Sequence, residues 1–255
     1  MGTLIIVATP IGNLSDISPR ALDALRTADL IACEDTRQTI KLLNHFGIQK
    51  PLVSYHDFNE EKKAAELGNK IREGMTIALV SDAGTPGISD PGFRLVRYCR
   101  EQGLTVASIP GANAAITALS ASGLPSDEFF FAGFLPSKKS ARRERLEGLR
   151  ALRATLIFYE APHRISETLT DLLEILGDRE VCIARELTKM HEEFLFGRLS
   201  ELKDNVKALG EFVIVVAGNS SSTERAEGPT PLTREQVLKT LGISRNELYD
   251  LFFKK

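Results

Sequence analysis

Apolar positions in the first half of the chain fall into short continuous runs, separated by longer segments with an apolar stripe at helical spacing. Residues 3–8, 30–33, 52–54, 76–81 and 105–109 are the runs, each of strand length and mainly apolar in character. The segment 19–28 opens on Ser18-Pro19, a capping serine before a proline in the first helical turn. Segment 36–46 is closed by Gly47, and 60–73 turns its charges outward with Ala64, Leu67 and Ile71 on one face. A further helix is expected at 92–102. Strand and helix therefore alternate, which predicts a mainly parallel sheet covered on both faces.

In the second half, strands are expected at 129–132, 155–159, 181–184, 193–197 and 212–217, with helices at 138–152, 163–176 and 199–206. The runs 181–184 and 193–197 follow one another without a helix, which implies antiparallel pairing and a mixed sheet. Residues 219–231 are rich in Ser, Thr, Gly and Pro and read as a linker; short helices at 234–241 and 245–252 follow in the tail. The expected organisation is an α/β protein with domains at 1–118 and 119–218, a linker at 219–231 and a tail at 232–255.

Composition narrows the function classes. With 255 residues, 43% hydrophobic and 26% charged, the chain has ample length and apolar content for a folded core. A net charge of −2 gives no global attraction to a polyanion, so nucleic acid must be held by a local patch. One such patch exists at 138–153, where Lys138, Lys139, Arg142, Arg143, Arg145, Arg150 and Arg153 face only Glu144 and Glu147, a local charge of 7 − 2 = +5. Leu146, Leu149 and Leu152 recur at helical spacing and should face the core, leaving most of the cations in solvent. Lys138, Lys139, Arg142, Arg143 and Arg145 are the phosphate-binding candidates; an ordinary solvated helix face is the alternative.

Cys33, Cys99 and Cys182 are odd in number, far apart and form no Cys-x-x-Cys pair, which points to reduced core residues and a cytoplasmic setting. The apolar opening lacks a basic leader and is cut by Pro10, as a first strand would be, and no run approaches membrane-spanning length. The four histidines, at 45, 56, 163 and 191, show no metal-ligand spacing, so no metal is expected. No Gly-x-Ser-x-Gly elbow is present.

Candidate chemistry gathers at strand ends. The stretch Ser-Asp-Ala-Gly-Thr-Pro-Gly-Ile-Ser-Asp-Pro-Gly at 81–92 releases a strand into a Gly/Pro-rich loop and then a helix, the place where open α/β sheets bind ligands. After the first strand stands Thr9-Pro10-Ile11-Gly12-Asn13-Leu14, which has one glycine and a proline where a dinucleotide fold would carry Gly-x-Gly-x-x-Gly. Proline removes a backbone N–H from any pyrophosphate cradle, so diphosphate cofactors are disfavoured. Tyr-Glu-Ala-Pro-His-Arg at 159–164 and Arg185–Glu193 also follow strands and concentrate acid, base and aromatic groups. The small-residue run 110–121 admits either close helix packing or the approach of a flat ligand.

Taken together, residues 7–14, 33–37, 81–92, 133–136, 159–164, 185–193 and 210–213 resemble the tetrapyrrole methylase superfamily, and more closely the ribosomal RNA small subunit methyltransferase I family. The resemblance runs in order over about residues 3–217. It implies a two-domain class III methyltransferase fold, with S-adenosyl-L-methionine held in the cleft between the halves. It further implies a homodimer that methylates the ribose 2′-oxygen of a cytidine in the decoding region of 16S rRNA, on the 30S subunit or free RNA. The tail after Pro231 is short beside the lysine-rich ends associated with that family.

Carried onto this sequence loop by loop, the cofactor site would comprise Pro10, Ala83, Gly84, Thr85, Ile88, Ser120, Ala121, Tyr159, Glu160, Ala161, Leu187 and Glu211. A base is needed for the hydroxyl, and Asp35, Asp82, Glu160 and Glu186 are its candidates, with Lys189 or Arg37 positioning phosphate or ribose. Two other readings stay open: a tetrapyrrole-precursor or diphthine-type methyltransferase of the same fold, and a non-enzymatic RNA-associated sensor.

Overall fold

The computed structural model describes residues 2–219, and the expected linker and tail helices beyond Asn219 lie outside the described residues. Strands β1 (Thr3–Val7), β2 (Leu30–Cys33), β3 (Leu52–Ser54), β4 (Thr76–Val80) and β5 (Thr105–Ile109) form a sheet in the order β3-β2-β4-β1-β5. Every pairing in it is parallel. The continuous apolar runs are explained by the two covered faces. Val7, Ile31, Cys33, Ala78 and Val80 meet α1 (Pro19–Thr27) and α2 (Thr36–His45) on one side. Their neighbours Leu4, Ile6, Leu30, Ala32, Ile77 and Leu79 meet α3 (Glu60–Arg72) and α4 (Phe93–Glu101) on the other. Strand residues alternate between faces, so a strand buried on both has no polar position. The Ser18 hydroxyl accepts the Ala21 N–H and Pro19 stands in the first turn, so the cap expected from the sequence starts α1.

The second sheet contains β6 (Phe129–Phe134), β7 (Thr155–Glu160), β8 (Glu180–Arg185), β9 (Glu193–Arg198) and β10 (Phe212–Val216), ordered β6-β7-β10-β8-β9. Only β6–β7 is parallel, and the expected β8–β9 antiparallel pair is present. One face packs on α6 (Lys139–Leu149), α7 (Ile165–Leu176) and α8 (Leu199–Leu202). The other is covered by α5 (Ala114–Ala121), whose Ala115, Ala118 and Leu119 pack against Ile157, Cys182, Val213 and Val215. The small residues of 110–121 therefore serve close helix–sheet packing, and the boundary expected after residue 118 falls inside this helix.

Some elements differ in extent from the sequence reading. The helix expected over 199–206 stops at Leu202, because the Asn205 side chain donates to the Glu201 carbonyl and a turn replaces the next helical turn. The helix expected over 138–152 ends at Leu149, and β6 runs on through Phe134 by way of a bulge between Phe131 and Gly133, where Gly133 has φ 64°. Cys33, Cys99 and Cys182 are free and buried, as expected.

Candidate active site

Three loops at the carboxyl ends of parallel strands are clasped together. Thr9, after β1, exchanges backbone hydrogen bonds with Gly84, after β4, at 2.9 and 3.0 Å, and its hydroxyl donates to the Ser81 carbonyl at 3.1 Å. Thr85 Oγ1 donates to the carbonyl of Ala112, after β5, at 3.0 Å. Gly84 has φ 86°, a left-handed conformation that lets the backbone itself form the surface.

The second sheet supplies the opposite wall. Tyr159, at the end of β7, accepts the Ala115 N–H on its phenolic oxygen at 3.2 Å and lies edge-on to Phe131 and Phe134. The next residue, Glu160, is 1% exposed. One of its oxygens accepts the Ala161 N–H at 2.8 Å, the other accepts the Thr168 hydroxyl at 2.6 Å, and Arg164 Nε stands 3.3 Å away. The acid of the Tyr-Glu-Ala-Pro-His-Arg motif thus fixes the turn that follows the strand.

Between these walls is a cavity of about 510 Å³, within the range of small-molecule sites. Of the twelve residues expected at a cofactor site, Ala83, Gly84, Thr85, Ile88, Tyr159, Glu160, Ala161, Leu187 and Glu211 line it. Pro10, Ser120 and Ala121 do not. Pro10 is buried in the clasp beside the lining Ile11. Asn113 and Ala114 line the cavity at the start of α5, but Ser120 and Ala121 are exposed near its other end, about 9 Å further along the axis at 1.5 Å per residue.

The remaining candidate bases are outside the lining and hold partners of their own. Arg37 grips Asp35 with Nε and Nη2 at 3.0 and 2.7 Å, and its N–H is capped by the same carboxylate, which holds Asp35 down at about 2. Asp82 accepts the Asp35 N–H at 3.1 Å, while partial burial raises its carboxyl. Glu186 accepts from Lys189 at 2.9 Å and from the Glu211 N–H at 3.0 Å, and is lowered by both. Lys189 also reaches Glu211 at 2.8 Å, so this cation is shared by two carboxylates. The loop is strained: Glu186 and Thr188 have φ of 51° and 65°.

The Tetrapyrrole (Corrin/Porphyrin) Methylases family profile matches residues 3–203. The chain belongs to this family. It groups with proteins named ribosomal RNA small subunit methyltransferase I. The Halalkalibacterium halodurans protein of that name is 56% identical over 89% of this chain and 79% of its own. The Vibrio cholerae one is 50% identical over 96% and 85%. Among solved structures, the Thermus thermophilus uroporphyrin-III C-methyl transferase complexed with S-adenyl homocysteine shares the fold at a TM-score of 0.56 and 18% identity, over 84% of this chain and 97% of its own.

In this methylase the basic helix is only partly a free cationic face. Arg142 is buried, donating to Asp171 at 2.7 Å and to Glu167 at 3.1 Å. Arg143 is half-buried and pairs with Asp171 and Glu174. The expectation that both face solvent is therefore corrected: acids on α7 neutralise them, and the charge count of one helix took no account of its neighbour. Lys138, Lys139 and Arg145 are exposed, Arg145 lying over the Phe130 ring, while Leu146 and Leu149 are buried as expected.

Among the cavity residues that the sequence did not single out as site residues are Asp90, Phe134 and His163. Each lies within a motif already singled out, at 81–92, 133–136 and 159–164. The signal was present, but which side chain of a loop turns inward is set by its backbone.

Proposed function

We propose that this chain transfers a methyl group from S-adenosyl-L-methionine to the ribose 2′-oxygen of a cytidine in the decoding region of 16S rRNA, within the 30S subunit. The observation that carries this reading is the 56% identity over 89% of the chain to a ribosomal RNA small subunit methyltransferase I. The cavity suits the cofactor: Gly84 brings backbone to its surface, and Ile11, Ile88, Phe134 and Leu187 offer apolar contact to an adenosine and a sulfonium methyl. No pyrophosphate cradle is needed for such a molecule, in keeping with Pro10 after β1.

Ala83, Gly84, Thr85, Ile88, Tyr159, Ala161, Leu187 and Glu211 hold the cofactor in this reading, and Glu160 keeps the Ala161 turn in place. The sulfonium supplies an electrophilic methyl with a neutral leaving group, so no acid is required. The protein's task is alignment of the hydroxyl, which supplies most of the acceleration, and removal of its proton. Lys138, Lys139 and Arg145 contact phosphates and orient the subunit without reading bases. The protein acts in the cytoplasm as a homodimer.

The test is incubation with methyl-labelled S-adenosylmethionine and three acceptors: 30S subunits, naked 16S rRNA and a tetrapyrrole precursor. Label on a cytidine ribose of 30S subunits is expected. Label on the tetrapyrrole alone, or on nothing, overturns the reading. Light scattering should give twice the chain mass of 28.0 kDa.

A further inference from the structure

Three carboxylates line the cavity, and two are already engaged. Glu160 is enclosed by Thr168, the Ala161 N–H and Arg164, and Glu211 is bound to Lys189. Asp90 is the third, and no cation takes part in its electrostatics among the described residues. Its place is fixed by the backbone on both sides. Ser89 has φ 62° and Gly92 has φ 151°, so the chain reverses sharply around Asp90 and Pro91. Ser89 is also pressed against the bulge of β6: a Cβ added to Gly133 would lie 3.0 Å from Ser89 Oγ. The loop of one sheet is thereby seated on the other, with Asp90 on the cavity lining.

We infer that Asp90 is the catalytic base, accepting the proton of the ribose hydroxyl during methyl transfer. The inference rests on the ribose methyltransferase reading above. In the balanced step, the hydroxyl oxygen bonds to the methyl carbon while the carbon–sulfur bond breaks with its electron pair going to sulfur. The hydroxyl proton passes to an Asp90 oxygen, which water then relieves. The other candidates are less suited, since Asp35, Glu186 and Glu211 are each tied to a cation and both Glu160 oxygens are already held by the Ala161 N–H, the Thr168 hydroxyl and Arg164. Asp82 accepts the Asp35 N–H and does not line the cavity.

The environment of Asp90 suits the task. Burial and the nearby Asp82 and Asp57 raise its carboxyl to about 6, with a Ser81 hydrogen bond opposing them. Glu34 and Tyr159 also face it electrostatically, and His163 and Glu160 share the cavity. None of the described groups acting on it is a cation, so it is more basic than an ordinary carboxylate, and at about 6 it is still largely ionised at neutral pH.

The experiment compares the full-length wild type with Asp90→Asn and Asp90→Glu. Wild-type kcat/KM on 30S subunits should fall tenfold per pH unit below about 6, and Asp90→Asn should lower kcat about 100-fold or more while Asp90→Glu restores part of it. Calorimetry with S-adenosylhomocysteine should give Kd values within twofold for all three proteins. Thermal melting gives a readout independent of activity. A carboxyl raised on folding favours the fold below its unfolded value and loses that contribution as pH rises through about 6. The wild-type midpoint should therefore drop relative to Asp90→Asn between pH 4 and pH 7. Asp90→Asn turning over 30S subunits at near the wild-type rate, or a tenfold weaker S-adenosylhomocysteine Kd with kcat intact, overturns the assignment. A melting difference that does not change with pH does so too. If the wild type leaves 30S subunits unlabelled, it is the ribose methyltransferase reading that fails.

Discussion

Arg142 donates from Nε to an Asp171 oxygen at 2.7 Å, and each side chain is about 1% exposed. The pair joins α6 to α7 across 29 residues of sequence, with Glu167 as a further partner of the guanidinium. Two charges removed from water are tolerated together, but neither is tolerated alone. Arg142→Ala or Asp171→Ala should cost up to about 3–5 kcal/mol of stability, because each takes the nearest counter-charge from a buried group and leaves Asp171 only Arg143, or Arg142 only the exposed Glu167. Denaturant titration measures this. A loss below 1 kcal/mol would show that the site takes up water freely.

The cations left in solvent carry a separate expectation. Lys138→Glu, Lys139→Glu and Arg145→Glu together should weaken 30S binding and flatten its dependence on salt, because fewer phosphates are neutralised. Binding of S-adenosylmethionine should stay unchanged. Reversing Arg142 in the same experiment would mix a folding defect into the result. Normal 30S affinity in the triple variant at moderate salt means that the RNA docks elsewhere.

Gly84 combines a φ of 86° with a place on the cavity wall. Gly84→Val puts a β-branched side chain into a conformation such residues avoid, beside the Thr9 clasp. Calorimetry should show at least a tenfold loss of S-adenosylmethionine affinity, about 1.4 kcal/mol. Wild-type affinity in a folded variant would remove this loop from the cofactor site.

Gly12 is packed against the strained loop of the second sheet. A Cβ there would lie 2.6 Å from Lys189 Cγ, 2.7 Å from Thr188 Oγ1 and 3.0 Å from the Leu187 carbonyl. The Asn13 N–H donates to Thr188 Oγ1, which limits how far that residue can retreat. Gly12→Ala should cost about 1–3 kcal/mol through overpacking, and cofactor affinity should drop as Leu187 shifts on the cavity wall. Melting and calorimetry on the variant test the two effects; unchanged values in both would show that the loop yields.

Among the described residues, no group of three or more His, Cys, Asp or Glu is placed to hold a metal ion. A sulfonium leaving group also needs no Lewis acid. Because the leaving group is a neutral thioether, methylation should proceed at its normal rate in EDTA, and a loss restored by magnesium or zinc would refute this.

The sequence by itself determined the elements and the loops that matter. Runs such as 77–80 are apolar at every position because a two-sided strand has no polar face, and that is visible in a one-dimensional string. Caps such as Ser18-Pro19 and punctuation such as Gly47 are likewise local. Nine of the expected cofactor residues fall on one cavity because strand ends in an α/β sheet converge on the same edge. Only the tertiary structure decided the rest. The order β3-β2-β4-β1-β5, the packing of α5 on the second sheet, and the burial of Arg142 against Asp171 depend on segments far apart in sequence. The same holds for Asp90: the cavity it lines is closed by Tyr159 and Glu160 from the second sheet, and no described cation acts on it, whereas Asp35 is paired with Arg37 only two residues on. Charge and burial are properties of what surrounds a side chain, and those surroundings are assembled only when distant segments pack.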